Sequence, residues 1–360
     1  MRQWQWTAIP LLSLTALIAT WGSTPMGAAA LVLALFLGAA VLSSVHHAEV
    51  LAHRFGEPFG SLTLAVAVTA IEVALIVTLT LGGGAGTESL ARDTVFAAFI
   101  IATNAIVGAS LLARTLRGGV AEFNAEGTGA MLATMTAVAT LSLILPNFTS
   151  SSPGPTFSTG QLVFDAVSSL SLYLLFVFVQ TVRHREQFTA VGRTAPGMSH
   201  EDDHEPIPSN GVALASFGLL LASLVAVVGL AKVVSPAMER AIVEAGLPVT
   251  TVGVIIAMLI LMPEGISAVH AARADDVQRS FNLAYGSAMA SIGLTIPAIA
   301  IVSLASDRQL LLGLEPTGIL LAALTVVVSV LTVTPGRATL LQAGVHLTIA
   351  AGFVTLAILP

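Results

Sequence analysis

The 360-residue chain has no cysteine. Disulfides, thiolate metal sites and thiol nucleophiles are therefore excluded, and cysteine usage says nothing of the redox compartment. Charge is scarce too. The 14 basic and 20 acidic residues make up 9 % of the chain, against about 25 % in an ordinary soluble domain. Such a supply cannot solvate a globular surface, so a soluble enzyme is excluded. A net charge of −6 with so few basic residues excludes a nucleic-acid binder. What is abundant is apolar: 55 % hydrophobic residues, 31 glycines and a mean hydropathy of +0.91. A disordered chain is thereby excluded as well. The remaining class is an all-α polytopic membrane protein whose main partner is the lipid bilayer.

Charges fall between long apolar runs. None occurs from Gln3 to Ala48, which leaves room for two spans of about 20 residues each. Eleven spans are predicted, at roughly 7–23, 27–47, 60–82, 94–113, 127–147, 162–182, 211–233, 248–270, 281–304, 316–334 and 339–359. The breaks carry turn chemistry, as in Gly82-Gly83-Gly84, Pro153-Gly154-Pro155 and Pro335-Gly336. The tenth span is short, which suggests a tilted or partly re-entrant segment. With the N-terminus in the cytoplasm, inside segments hold ten basic residues. Outside segments hold four, Arg92, Lys232, Arg240 and Arg308. The bias predicts a multi-pass protein of the cell's inner (plasma) membrane, N-terminus in and C-terminus out. Reading span one as a cleaved signal peptide would invert every later loop against that bias.

One substantial polar segment, 183–210, divides the chain after span six and contains His200-Glu201-Asp202-Asp203-His204-Glu205. Residues 1–26 then form an extra N-terminal helix. Residues 27–182 and 211–360 form two five-helix repeats, joined by an acidic cytoplasmic linker at 183–210.

An ionisable residue deep in a span costs several kcal/mol and marks function by default. Two carboxylates qualify. Glu72 lies near the middle of span three, and Glu264 lies in span eight within Met262-Pro263-Glu264-Gly265. No basic residue accompanies either. The alternative is a protonated carboxyl that serves packing alone. Spans three and eight are five apart, an odd number, so they cross the membrane in opposite directions. That is the inverted repeat of secondary transporters, whose site lies near the midplane at the repeat interface. Pro263 removes a backbone donor and Gly265 loosens the chain, so span eight is expected to kink or break at Glu264. Thr69 lies one turn before Glu72. Span four carries Thr103-Asn104, and span nine carries Ser287, Ser291 and Thr295 along one face. Hydroxyls also serve helix packing, whereas a buried amide is costlier.

The chemistry implied is exchange. Two carboxylates cancel the charge of Ca²⁺, and amide, hydroxyl, carbonyl and water oxygens complete its shell. With the ion gone, protonation neutralises carboxylates that low dielectric disfavours. Cation and protons compete for the same oxygens, and alternating access turns competition into antiport. The reading is a secondary cation/proton antiporter, Ca²⁺/H⁺ first and Na⁺/H⁺ or K⁺/H⁺ as the alternative. It is not an enzyme, and it needs no cofactor beyond the transported ions. A passive cation channel and an intramembrane metalloenzyme stand behind it.

The stretches Ala48–Gly60, Thr69–Ile76, Leu145–Thr149, Tyr173–Arg185 and Pro263-Glu264-Gly265, followed by Asn282 and Gly286-Ser287, resemble the calcium/cation antiporter superfamily, specifically its bacterial calcium:proton branch. The resemblance covers both halves, from about 48 to 300. It implies eleven spans, an extra first helix and two inverted five-helix repeats around an acidic linker. It implies that Glu72 and Glu264 bind cation and protons, and it matches Asn104 and Ser287 to polar positions of the repeat motifs. It makes His53, Arg54 and Glu57 a cytoplasmic mouth or gate. The wider family often has Gly-Asn just before each glutamate. Val68-Thr69 and Ile260-Leu261 stand there in this chain, without that amide.

Other groups are read as follows. His46, His47 and His53 with Glu49 and Glu57 form a cluster at the end of span two, and a plain interfacial cluster is the alternative to a gate. His270 and His346 stand alone. Asp165, at the start of span six, is read as interfacial, and Glu122 and Glu126 as solvated. The acidic linker patch is either a solubilising loop or a cation sensor, and it lacks EF-hand spacing.

Overall fold

The computed structural model describes residues 3–55, 59–82, 87–189, 208–248, 250–306 and 309–359. Among them the chain forms eleven helical rods. These are α1 (Gln3–Thr20), α2 (Ala28–Phe55), α3 (Phe59–Gly82), α4 (Leu90–Thr115), α5 (Ala125–Phe148) and α6 (Thr159–Arg183). After the linker come α7 (Asn210–Glu244), α8 (Thr250–Arg273), α9 (Val277–Ser306), α10 (Pro316–Val333) and α11 (Leu340–Ile358). Nine of these helices are long and apolar enough to cross a membrane by length and composition. The apolar stretches Gln5–Thr20 and Val66–Leu79 of α1 and α3 are shorter. Leu31, Leu35, Leu214, Leu320 and Leu341 point outward and exposed, as lipid-facing side chains do.

Helix ends follow local chemistry. Ser158 with Gln161, and Thr339 with Gln342, form capping boxes at the starts of α6 and α11. The Asn124 side chain accepts from the Glu126 and Gly127 amides to start α5. Pro316 sits in the first turn of α10, where its missing N–H costs nothing. Two short strands, β1 (Ala121–Glu122) and β2 (Arg337–Ala338), pair antiparallel, Ala121 opposite Ala338 and Glu122 opposite Arg337. They join the α4–α5 connection to the α10–α11 connection.

Three rods contain a π-helical turn: Ile101–Ile106 in α4, Thr140–Ile144 in α5 and Val179–Arg183 in α6. Such turns disturb the i→i−4 ladder and recur at functional sites. The expected break lies elsewhere: α8 runs as unbroken helix through Pro263 and Glu264. Prolines also sit inside α1, α7 and α9, at Pro10, Pro236 and Pro297. Neighbouring helices and small local adjustments re-satisfy the freed carbonyls in a membrane bundle. The tenth span is an unbroken helix of 18 residues.

The helices pack as two compact units. The first comprises α1–α3, α7 and α8 up to Ile260, and the second comprises α8 from Leu261 with α4–α6 and α9–α11. Each unit draws helices from both sides of the linker. The first is centred on Ala40, Val41, Ile71, Leu75, Ala226 and Val227. Alanines recur at this core because lipid is as apolar as the interior, so association rests on close van der Waals approach. In the second unit Gly293 of α9 meets Tyr173 of α6 so closely that a Cβ at 293 would lie 2.6 Å from the tyrosine Cβ.

Candidate functional site

In the first unit Glu72 occupies the buried face of α3, 2 % exposed, between Ile71 and Leu75. Thr69 is buried three residues before it. The helix holds both there because the residues around them are apolar and the spacing puts them on one face.

In the second unit Glu264 is 8 % exposed on α8. The adjacent Gly265 faces the π-turn of α4, where an added Cβ would lie 3.4 Å from Ile106. The α8 carboxylate and the α4 polar pair Thr103-Asn104 therefore sit on neighbouring helices. Ser291 and Thr295 are buried on α9 and Ser287 is half-buried, so the hydroxyl stripe faces the interior of this unit. The Thr295 hydroxyl, fully buried, has no hydrogen-bond partner among the described residues.

Asn104 is held on all sides. Its Nδ2 donates to Thr325 Oγ1 at 3.0 Å and to Thr103 Oγ1 at 3.2 Å. Its Oδ1 lies 3.1 Å from His346 Nδ1, and His346 Nε2 lies 3.1 Å from Thr332 Oγ1. The set is satisfied by neutral imidazole carrying its proton on Nδ1, which donates to Asn104, while Nε2 accepts from the Thr332 hydroxyl. Thr103, Asn104, Thr325, Thr332 and His346 are all buried, so this network ties the π-turn of α4 to α10 and α11. One lone pair of the Asn104 carbonyl is committed to His346. His346, a lone histidine in the sequence, is the non-local partner.

Asp165 on α6 is 1 % exposed. The Ser142 hydroxyl of the α5 π-turn donates to its Oδ1 at 2.8 Å, and its Oδ2 has no partner among the described residues. Arg92, assigned to an outside segment, is also buried. Its Nε donates to Asp93 at 2.8 Å and its Nη1 to the Gly313 carbonyl at 3.1 Å. The rule that finds Glu72 would find Asp165 too, had the span been started at 159 rather than 162.

The histidine cluster is divided. His47 is buried with Nε2 3.1 Å from the Trp6 carbonyl, and His46 stacks on the Trp6 ring at 4.3 Å. Both fasten α2 to α1. His53 is exposed near the end of α2, and Arg54 beside it donates to Asn210 at the start of α7. Glu57 and the acidic patch 200–205 lie outside the described residues. Glu122 and Glu126 are exposed. No group of three or more His, Asp or Glu side chains able to hold a metal occurs among the described residues.

Long apolar helices with carboxylates buried deep within them characterise ion-translocating membrane proteins. The sodium/calcium exchanger protein family profile matches residues 25–182 and 215–359, and the chain belongs to that family. The calcium/cation antiporter resemblance read from the motifs holds. The chain is 44 % identical over 325 residues to the putative ionic transporter y4hA of Sinorhizobium fredii (strain NBRC 101917 / NGR234), covering 90 % of this chain and 87 % of that one. It is 32 % identical over 355 residues to the sodium-potassium/proton antiporter ChaA of Escherichia coli (strain K12), covering 96 % and 93 %. The fold matches that of native YfkE with a TM-score of 0.71 at 15 % identity, over 99 % of both chains. The family is one of membrane transporters, not of catalytic enzymes.

Proposed function

We propose that this protein is a secondary cation/proton antiporter in which cation and protons compete for Glu72 and Glu264 under alternating access. The observation that carries the reading is the burial of these two carboxylates in otherwise apolar helices. A carboxylate so placed is costly unless loaded, and the available loads are a proton or a cation. Thr69, Ser287, Ser291 and Asn104 are the neutral oxygen donors of this reading. His53 and Glu57 serve as the cytoplasmic gate. Two negative charges match one Ca²⁺, which makes Ca²⁺ the first cation of this reading. A monovalent cation, Na⁺ or K⁺, is the second reading. It is favoured by the 32 % identity to a sodium-potassium/proton antiporter and by the missing amides at Val68-Thr69 and Ile260-Leu261. The protein works in the inner membrane with its N-terminus in the cytoplasm.

The test is a cation survey in proteoliposomes or everted vesicles holding an acid interior. Added Ca²⁺ should collapse the gradient. Collapse by Na⁺ or K⁺ alone would select the second reading, and no collapse by Ca²⁺, Na⁺, K⁺ or Mg²⁺ would overturn both.

A further inference from the structure

Asp165 is a buried carboxyl that the exchange scheme above leaves unused. It sits seven residues into α6, 1 % exposed, with the Ser142 hydroxyl on Oδ1 and no hydrogen-bond partner for Oδ2 among the described residues. The Leu314 amide donates to the Leu143 carbonyl at 2.8 Å, and the Gly313 amide donates to the Pro155 carbonyl at 3.0 Å. The 309–315 segment and the 149–158 loop thus close over this end of the second unit.

Among the described residues no cation pairs with it. Helices α6 and α9 run antiparallel: Asn282 donates to the Phe188 carbonyl, and farther along α9 Gly293 meets Tyr173. The ionisable residues of α9, Arg279 and Tyr285, therefore lie toward the end of α6 away from Asp165. On α5 the ionisable residue is Glu126, about 24 Å along the rod from Ser142. On α6 itself Tyr173 is about 12 Å away and Arg183 about 27 Å. The covering segment itself ends in the exposed Glu315, and Arg92, paired with Asp93, donates to its Gly313 carbonyl.

An ionised Asp165 would hold its charge on one hydroxyl donor, at a large desolvation cost. One carboxylate and one hydroxyl are far from the roughly six to eight oxygens of a Ca²⁺ site. A proton needs only the open oxygen. A permanently protonated acid, in turn, would donate its O–H to a buried acceptor, and Oδ2 meets none among the described residues. The Ser142 hydroxyl favours the anion, and the vacant Oδ2 position receives the proton. Ser142 lies in a π-helical turn, where the backbone ladder is already disturbed.

We propose that Asp165, held by Ser142, is a proton-binding site of the second unit, separate from Glu72 and Glu264, that takes up and releases a proton during exchange. The bond formed and broken is Oδ2–H alone. The inference rests on the antiport reading for its role in transport, while the site itself can be tested without transport.

The experiment is pH-difference infrared spectroscopy on the purified full-length protein in detergent. The carbonyl band of a protonated carboxyl should appear as pH falls and be lost in Asp165→Asn, which mimics the protonated acid in shape. Ser142→Ala keeps the carboxyl and should displace the midpoint of the same band, so the test survives if the Asn variant fails to fold. In proteoliposomes, Asp165→Asn should lose one titration from the pH–rate profile of exchange. A wild-type spectrum unchanged by Asp165→Asn, or by Ser142→Ala where the Asn variant does not fold, would overturn the site. So would an unaltered pH–rate profile in Asp165→Asn. If no cation moves protons in the wild type, the antiport reading falls, and the infrared band still decides Asp165.

Discussion

At the scale of single residues, function turns on what a buried polar atom touches. Glu72→Gln and Glu264→Gln should each abolish exchange while leaving expression and folding near normal. Glutamine keeps volume and hydrogen bonding but can neither neutralise a cation nor carry a proton. Losing one carboxylate should cost far more than half the activity, because a half-neutralised cation leaves an uncompensated charge worth about 3 kcal/mol or more. Aspartate at either place keeps the charge at shorter reach, and partial activity with weaker apparent affinity is expected. Cation-driven proton flux in proteoliposomes checks both, and normal flux in both Gln variants would shift the site elsewhere. The Asn104–His346 bond gives a second residue-level test. His346→Ala leaves the Asn104 carbonyl and the Thr332 hydroxyl short of partners, at about 1–3 kcal/mol. A double-mutant cycle with Asn104→Ala, read by thermal unfolding, should show a coupling on the order of 1 kcal/mol, and additive effects would mean the contact carries no energy.

At the scale of elements, the sequence was informative where the signal is local. Apolar runs bounded by turn residues place all eleven rods, because length and hydropathy are properties of each segment alone; α2 and α7 run eight and eleven residues past their predicted ends, to Phe55 and Glu244. The charge-in-a-span rule picks out Glu72 and Glu264 for the same reason. What escapes it depends on neighbours distant in sequence. Asp165 looks solvated at the start of its span until Ser142 of another helix meets it, and His346 looks solitary until Asn104 arrives from another helix. Pro263 looks like a break, yet α8 passes through it, while the π-turns around Asn104 and Ser142 hold no proline or glycine within them. Close packing is equally silent. Gly293→Ala should separate α6 from α9 and cost about 1–3 kcal/mol. Gly344→Ala on α11, with nothing within 4 Å of the new methyl, should be near neutral. Equal melting temperatures for the two variants would contradict the close approach at Tyr173.

At the scale of the whole molecule, the family fixes the kind of machine and leaves its regulation open. The linker's acidic patch lies outside every span, so deletion of 198–206 should leave maximal exchange nearly intact. Complete loss of transport in a deletion variant that still reaches the membrane would make the patch essential.

The small β1–β2 pairing has a mechanical meaning. It latches the α4–α5 connection to the α10–α11 connection, and the Asn104–His346 network joins α4, α10 and α11 in the interior. With a clasp at the rim and a rivet inside, these three rods are expected to travel together rather than slide past one another by a helical turn. The chain's lack of cysteine makes it a clean background for checking this by chemistry. Glu122 and Arg337 are exposed and directly opposite. Paired strand residues stand about 4.5–5.5 Å apart at Cα, within the span of a disulfide. A Glu122→Cys, Arg337→Cys protein should cross-link on oxidation and transport as fast locked as reduced. An exchanger frozen by that bond and revived by a reductant would reveal that the latch opens on every cycle.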